Sequence, residues 1–184
     1  MRIAGGRLKG RPRHAPAGRA TRPTSDRVRE AVFNVLAHGI EDLRLEDARV
    51  LDLFAGTGAL GLEALSRGAA RAVFVDDLAA ARALIRENVA ALGLGGQAQV
   101  WRRDARRLGA CPGEPFDLVF LDPPYRSGLA AAALASARAG VWLAPGAVLV
   151  LELAADEAPP GANWLTLADR RRYGDTRILI FTAP

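Results

Sequence analysis

The chain has 184 residues, 50% of them hydrophobic, a net charge of +5 at pH 7 and one cysteine, Cys111. That length supports one core burying about 70% of the unfolded surface, which excludes a second full domain, and a lone cysteine excludes an internal disulfide. No apolar run reaches the roughly twenty residues of a membrane span and the N-terminus has no apolar signal-peptide core, so a soluble, cytoplasmic protein is expected.

The charge is unevenly distributed. Residues 1 to 29 hold Arg2, Arg7, Lys9, Arg11, Arg13, Arg19, Arg22, Arg27 and Arg29 against one acid, Asp26, so this segment carries +8 and the remainder −3. A basic arm on a slightly acidic body points to a polyanionic partner. Residues 1 to 20 are rich in Gly, Pro and Arg and read as an arm ordered by that partner, with a short strand near the start. The division expected is an arm over 1–23 and one domain over 24–184. His14, without a carboxylate or metal-ligand neighbour, reads as solvated or as an RNA contact, and no metal site is expected.

From Thr24 the pattern becomes helical. Thr24 or Ser25 can cap, Asp26 suits the first turn, and Val28, Ala31, Val32, Val35 and Leu36 recur at helical spacing, with Arg27 and Arg29 on the polar side. Gly39 ends this helix. A strand over 50–53 leads into a glycine turn at Gly56 and Gly58, a helix over 59–67 and a strand over 72–75 that ends in Asp76-Asp77. A helix over 78–92, a strand over 97–102 ending at Asp104, and a strand over 116–121 follow. The last of these runs into Asp122-Pro123-Pro124-Tyr125. A helix over 129–139 and strands over 147–153, 164–168 and 177–181 complete the chain. Alternating strands and helices predict an α/β, doubly wound, mostly parallel sheet that binds ligands at the carboxyl ends of its strands.

Asp52, Asp76, Asp104 and Asp122 each fall at the end of a successive strand, so four carboxylates converge on one crevice. They decide between cofactors. Gly56 to Gly61 fits the dinucleotide pattern GxGxxG, with Asp76 at the spacing of its ribose acid, but a carboxylate at Asp52 repels a pyrophosphate. S-adenosylmethionine carries an ammonium and a sulfonium instead, and both favour nearby negative charge. The expected cofactor site is Asp52, Phe54, Gly56, Thr57 and Gly58 around the methionine portion, Asp76 on the ribose hydroxyls, Asp104 on the adenine amine and the Ala105 amide as a donor.

Asp122, Pro123, Pro124 and Tyr125 supply the chemistry. An exocyclic base amine is a poor nucleophile because its lone pair is delocalised into the ring. Two rigid acceptors, the Asp122 carboxylate and the Pro123 carbonyl, favour an sp³-like nitrogen, and Tyr125 stacks on an extruded base. A dehydrogenase leaves Asp52, Asp104 and Asp122 unexplained. An amino-methyltransferase acting on another base or on DNA could use the same Asp122 loop and is the alternative among enzymes, with the small size and absence of a separate target-recognition domain weighing against DNA; a non-catalytic RNA-binding module on a cofactor fold is the alternative from another class.

These residues resemble the class I S-adenosylmethionine-dependent methyltransferases and, among them, the RsmD family of 16S rRNA (guanine-N2) methyltransferases. The resemblance rests on RPTSDRVRE from Arg22 to Glu30 with Phe33 and Asn34, DLFAGTGALGLEA from Asp52 to Ala64, LDPPY from Leu121 to Tyr125 and YGDT from Tyr173 to Thr176. One departure is Asp76, where similar proteins usually carry Glu. The resemblance implies a Rossmann-like, seven-stranded sheet with a reversed last strand, and methylation of a guanine N2 in small-subunit ribosomal RNA, within a ribosomal particle. A monomer is the favoured state. The RNA-binding set expected is Arg2, Arg7, Lys9, Arg11, Arg22, Arg27 and Arg29, with Arg170 to Arg172 as a second basic patch.

Overall fold

The computed structural model describes residues 1–15, 26–40 and 43–184. The cap expected at Thr24 or Ser25 and the cation Arg22 lie outside these residues. Among the described residues seven strands form one sheet: β1 (Arg49–Leu53), β2 (Arg71–Val75), β3 (Ala98–Trp101), β4 (Phe116–Leu121), β5 (Leu143–Ala154), β6 (Thr166–Tyr173) and β7 (Thr176–Thr182). Their order is β3-β2-β1-β4-β5-β7-β6. The first five pair in parallel, whereas β7 runs antiparallel to both β5 and β6. This is the expected class I arrangement with its last strand reversed. The strand order changes direction between β1 and β4, which opens the ligand crevice of such sheets at their carboxyl ends.

Alternate residues of each buried strand face opposite layers, so one strand feeds two cores. Val50, Phe74, Phe120, Val150 and Ile180 pack under α1 (Asp26–His38), α2 (Ala59–Ser66) and α3 (Ala79–Leu92). Leu51, Val75, Val119, Leu149 and Leu179 face α4 (Leu129–Ala139), together with Trp142. Because both faces are covered, the central strands read as continuous apolar runs rather than alternating ones.

Three expectations change. Residues 1–15 are docked on the body, not a free arm. Ile3 and Leu8 are buried, Ala4 N–H donates to Glu63, Leu8 N–H to the Ser66 hydroxyl and His14 N–H to Asn88. The strand expected there is a single bridge between Arg2 and Pro12. β5 begins four residues earlier than its apolar run, since its first stretch passes Pro145 and Gly146 and pairs with β4 through a register shift. Edge strand β6 extends to Tyr173 and carries Arg170, Arg171 and Arg172, all exposed, so the second basic patch lies on a sheet edge.

Candidate active site

The glycine turn is built by left-handed backbone and close packing. Phe54, a non-glycine residue, has φ 58°, followed by Gly56 at 55° and Gly58 at 74°. A non-glycine residue held there is strained, a feature that concentrates at ligand sites. Gly61 serves packing instead: a Cβ added to it would lie 2.4 Å from Phe74 Cε1, so only glycine lets α2 approach β2 this closely.

Two of the amides that a pyrophosphate could use are already taken by acids. Gly61 N–H donates to Asp52 at 2.9 Å, and Gly56 N–H donates to Asp76 at 2.9 Å. Asp76 accepts from Leu78 N–H as well. Asp52 is buried at 2% exposure. Its burial, relieved by the Gly61 bond and increased by Asp76, lifts its pKa to about 8. Thr57 turns away from the acids, its hydroxyl accepting from Arg13 at 2.9 Å. Burial of Arg13 beside Arg29 lowers its pKa to about 10.

A cavity of about 320 Å³ opens between the ends of β2, β3 and β4, walled by Phe54, Asp76, Leu78, Asp104, Ala105 and Pro124. It brings Asp76 and Asp104 together with Pro124 of the Asp-Pro-Pro-Tyr loop. Asp104 caps a short 3₁₀ turn (Ala105–Arg107) by accepting from Arg106 N–H, and its carboxylate also pairs with the Arg106 side chain at 2.7 Å. Those bonds hold its pKa below the ordinary carboxylate range. Leu78, 66% exposed at the cavity, was not expected as a site residue. An exposed leucine directly after an acid-tipped strand is its signal.

Asp122 follows β4 and is partly buried. Burial first, then Glu152, then Asp52, raise its pKa well above the usual carboxylate value. Glu152 was missed because it sits inside the apolar run LVLELA. Tyr125 is half-buried, and its hydroxyl donates to Glu152 Oε1 at 2.6 Å while meeting the Thr176 hydroxyl at 2.9 Å. Burial and the Glu152 bond raise the Tyr125 pKa. The YGDT block therefore reaches the Asp-Pro-Pro-Tyr loop through Thr176, at the start of β7.

The expected RNA set divides. Arg2, Arg7, Lys9, Arg11 and Arg27 are exposed; Arg2 bonds Gly10 O, Arg7 bonds Gln97 and Arg11 bonds Ala91 O. Arg29 is a correction. It is fully buried, paired with Glu63 at 3.2 Å and Asp26 at 2.9 Å, and it donates to Arg2 O, so it does not face a polyanion. Helical spacing explains why: Arg29 lies four and seven residues before Phe33 and Leu36, on their buried face.

Among the described residues no helix is long and apolar enough to cross a membrane, and no group of three or more metal-ligating side chains occurs. The family model described as Conserved hypothetical protein 95 matches residues 1–182. Ribosomal RNA small subunit methyltransferase D of Escherichia coli K12 is 42% identical over 167 residues, covering 89% of this chain and 81% of that protein. The putative rRNA methyltransferase YlbH of Bacillus subtilis is 37% identical and covers 98% of both. The solved structure of the putative methyltransferase yhhF from Escherichia coli superimposes with a TM-score of 0.86 at 36% identity, covering 100% of this chain and 97% of that one. Sequence, fold and the acid-lined crevice agree, and the chain belongs to the Conserved hypothetical protein 95 family, the RsmD family, with a class I methyltransferase fold.

Proposed function

We propose that this protein transfers a methyl group from S-adenosylmethionine to the N2 amine of a guanosine in small-subunit ribosomal RNA. The observation that carries the proposal is the cavity in which Asp76, Asp104 and Ala105 share a wall with Pro124 of the Asp-Pro-Pro-Tyr loop. The chemistry of the donor set fits the cofactor: carboxylates at Asp52, Asp76 and Asp104 suit a cationic nucleoside, and the turn amides of Gly56 and Gly61 are not open to a pyrophosphate. S-adenosylmethionine, when bound, supplies a methyl group activated on a sulfonium.

In this reading Asp76 holds the Gly56 amide with one oxygen and accepts ribose hydroxyls with its remaining lone pairs. Asp104 accepts the adenine amine once Arg106 yields, the Ala105 amide donates to the ring and exposed Leu78 covers an apolar face. Asp52 balances the ammonium. Asp122 and the Pro123 carbonyl accept from the target amine, and Asp122 takes its proton. Tyr125, its hydroxyl anchored to Glu152 and Thr176, offers a fixed ring for stacking. Fixing acceptor and ring beforehand is where an enzyme gains most in an in-line transfer. Arg2, Arg7, Lys9, Arg11 and Arg27 neutralise phosphates, while Arg7, bonded to Gln97 just before β3, does so on the flank opposite the catalytic edge. Ribosomal RNA as substrate is supported by what the Escherichia coli and Bacillus subtilis relatives are called.

The test is transfer of tritiated methyl to small-subunit particles lacking the modification, followed by nucleoside digestion. Label in N2-methylguanosine is expected. Label in another nucleoside, or none with particles, free RNA or DNA, contradicts the proposal.

A further inference from the structure

The buried carboxylate of Glu152 has no assigned task, and its position gives it one. In the parallel pairing of β4 with β5, Phe120 is opposite Val150 and Leu121 opposite Leu151. The next residues are Asp122, just past the end of β4, and Glu152, still within β5 and opposite Ile178 of β7, so they stand side by side one strand spacing apart, ~4.8 Å. Alternation puts both on the face of Phe120 and Val150, the same face as Asp52's neighbour Val50. The Tyr125 hydroxyl donates to Glu152 at 2.6 Å and bonds Thr176 at 2.9 Å, which fixes both the carboxylate and the aromatic ring. Past Glu152 on the same face of β5, Ala154 joins Tyr125, Arg172 and Asp175 around a cavity of about 440 Å³.

Two adjacent carboxylates are acceptors only when ionised, so they select a ligand edge that presents two adjacent donors. Guanine has such an edge: the ring N1–H stands beside the exocyclic N2 amine. Adenine and cytosine place a ring acceptor beside their amine, and that lone pair would face a carboxylate. Repulsion of the wrong base adds to attraction of the right one. Glu152 beside it, together with burial, favours the protonated form of Asp122 in the free protein. A donor–donor edge replaces that proton with two hydrogen bonds.

Resting on the reading of this chain as a base-amine methyltransferase, we infer that Glu152 is a specificity residue: its carboxylate accepts guanine N1–H while the neighbouring Asp122 accepts the amine that is methylated. One oxygen of Glu152 takes the Tyr125 hydroxyl, and a carboxylate offers about four lone-pair positions in all. The site therefore identifies the base by the hydrogen it carries on N1.

The test uses small-subunit particles assembled with ligated RNA, in which the guanosine that the wild-type protein methylates is kept or replaced by 2-aminopurine riboside. That analogue retains the N2 amine and has an unprotonated N1. The wild-type protein is expected to prefer guanosine in kcat/KM by about 100-fold or more, because a buried acceptor is left without its donor. In Glu152→Gln the side-chain amide can turn its NH₂ toward an unprotonated N1, so the preference should fall to within about tenfold. Tyr125→Phe keeps both carboxylates but releases the Glu152 side chain, so its preference should fall between those of the wild-type protein and Glu152→Gln. Melting temperature and cofactor affinity report whether each variant is folded. Equal use of both templates by the wild-type protein overturns the inference, with no variant needed. An unchanged preference in folded Glu152→Gln, or loss of turnover on both templates, overturns it as well. Absence of transfer to guanosine by the wild-type protein would instead count against the methyltransferase reading itself.

Discussion

Asp52 shows how a single carboxylate can report on its ligand. Burial holds its pKa at about 8, so at pH 7 the free protein keeps it mostly protonated. A bound cation favours the ionised form, so binding S-adenosylmethionine at pH 7 should release a proton from this group and tighten as pH rises toward 9. Calorimetry in two buffers of different ionisation enthalpy measures the release, and Asp52→Asn should remove it, the ligand's own ammonium being common to both proteins. The sign for stability follows: the folded protein binds the extra proton between the ordinary carboxylate range and pH 8, so this group's contribution declines as pH rises through that window. Asp52→Asn should flatten that decline in urea titrations. At this scale Asp76 and Asp122 were legible, because each directly follows a buried apolar strand, whereas Asp52 lies one residue inside β1 rather than at its end and Asp104 lies three residues past β3. Glu152 was not, since a lone acid within LVLELA breaks no pattern until β4 is laid beside β5. Arg29 was assigned to the wrong face because its charge outweighed its spacing from Phe33 and Leu36.

The elements flanking the site are tied together by one buried acid. Glu63 on α2 accepts from Arg29 on α1, from Arg67 one turn on and from Ala4 N–H of the docked N-terminal segment. Removing one partner of such a pair leaves an uncompensated buried charge, so Arg29→Ala should destabilise the protein by about 3–5 kcal/mol in urea unfolding. Replacing Arg29 and Glu63 together with apolar residues should recover most of that loss. The same docking means that deleting the first residues would strip Ile3 and Leu8 from the core along with the cations. Charge reversal is the cleaner probe of RNA binding. Arg2→Glu with Lys9→Glu and Arg11→Glu should weaken RNA affinity and reduce its salt dependence by roughly 0.7–0.9 for each phosphate no longer neutralised, leaving cofactor affinity unchanged. An unaltered filter-binding titration would show that this flank does not touch RNA. Helix α1 was legible from its apolar spacing and its stop at Gly39, and α2, α3 and α4 match the spans expected for them to within a residue. Strand β6 was only half visible: both its faces are exposed, so nothing alternates, and its arginines read as a basic patch rather than as a sheet edge.

At the scale of the whole molecule, chain order and crevice were both legible, because alternating strands and helices admit few topologies and all of them gather the strand ends. The reversal of the last strand was supplied by family resemblance rather than by periodicity, and its insertion between β5 and β6 is visible only in the structure. That insertion matters to the site. It brings Thr176 to the carboxyl edge, where it holds the Tyr125 hydroxyl beside Glu152. On the proposed function the two halves of the sheet divide the labour: Asp76 and Asp104, past β2 and β3, line the cavity assigned to the cofactor, and β4, β5 and β7 place Asp122, Glu152 and Thr176 where the base would bind. Their separation predicts that binding and transfer can be uncoupled. The most direct measurement pairs the cofactor dissociation constant with the single-turnover methyl-transfer rate on small-subunit particles, in the wild-type protein and in Asp122→Ala. The transfer rate should fall by about 10²–10³ or more while cofactor affinity stays within about threefold. An undiminished rate, or a loss of affinity as large as the loss of rate, would contradict a catalytic loop that acts on the base amine.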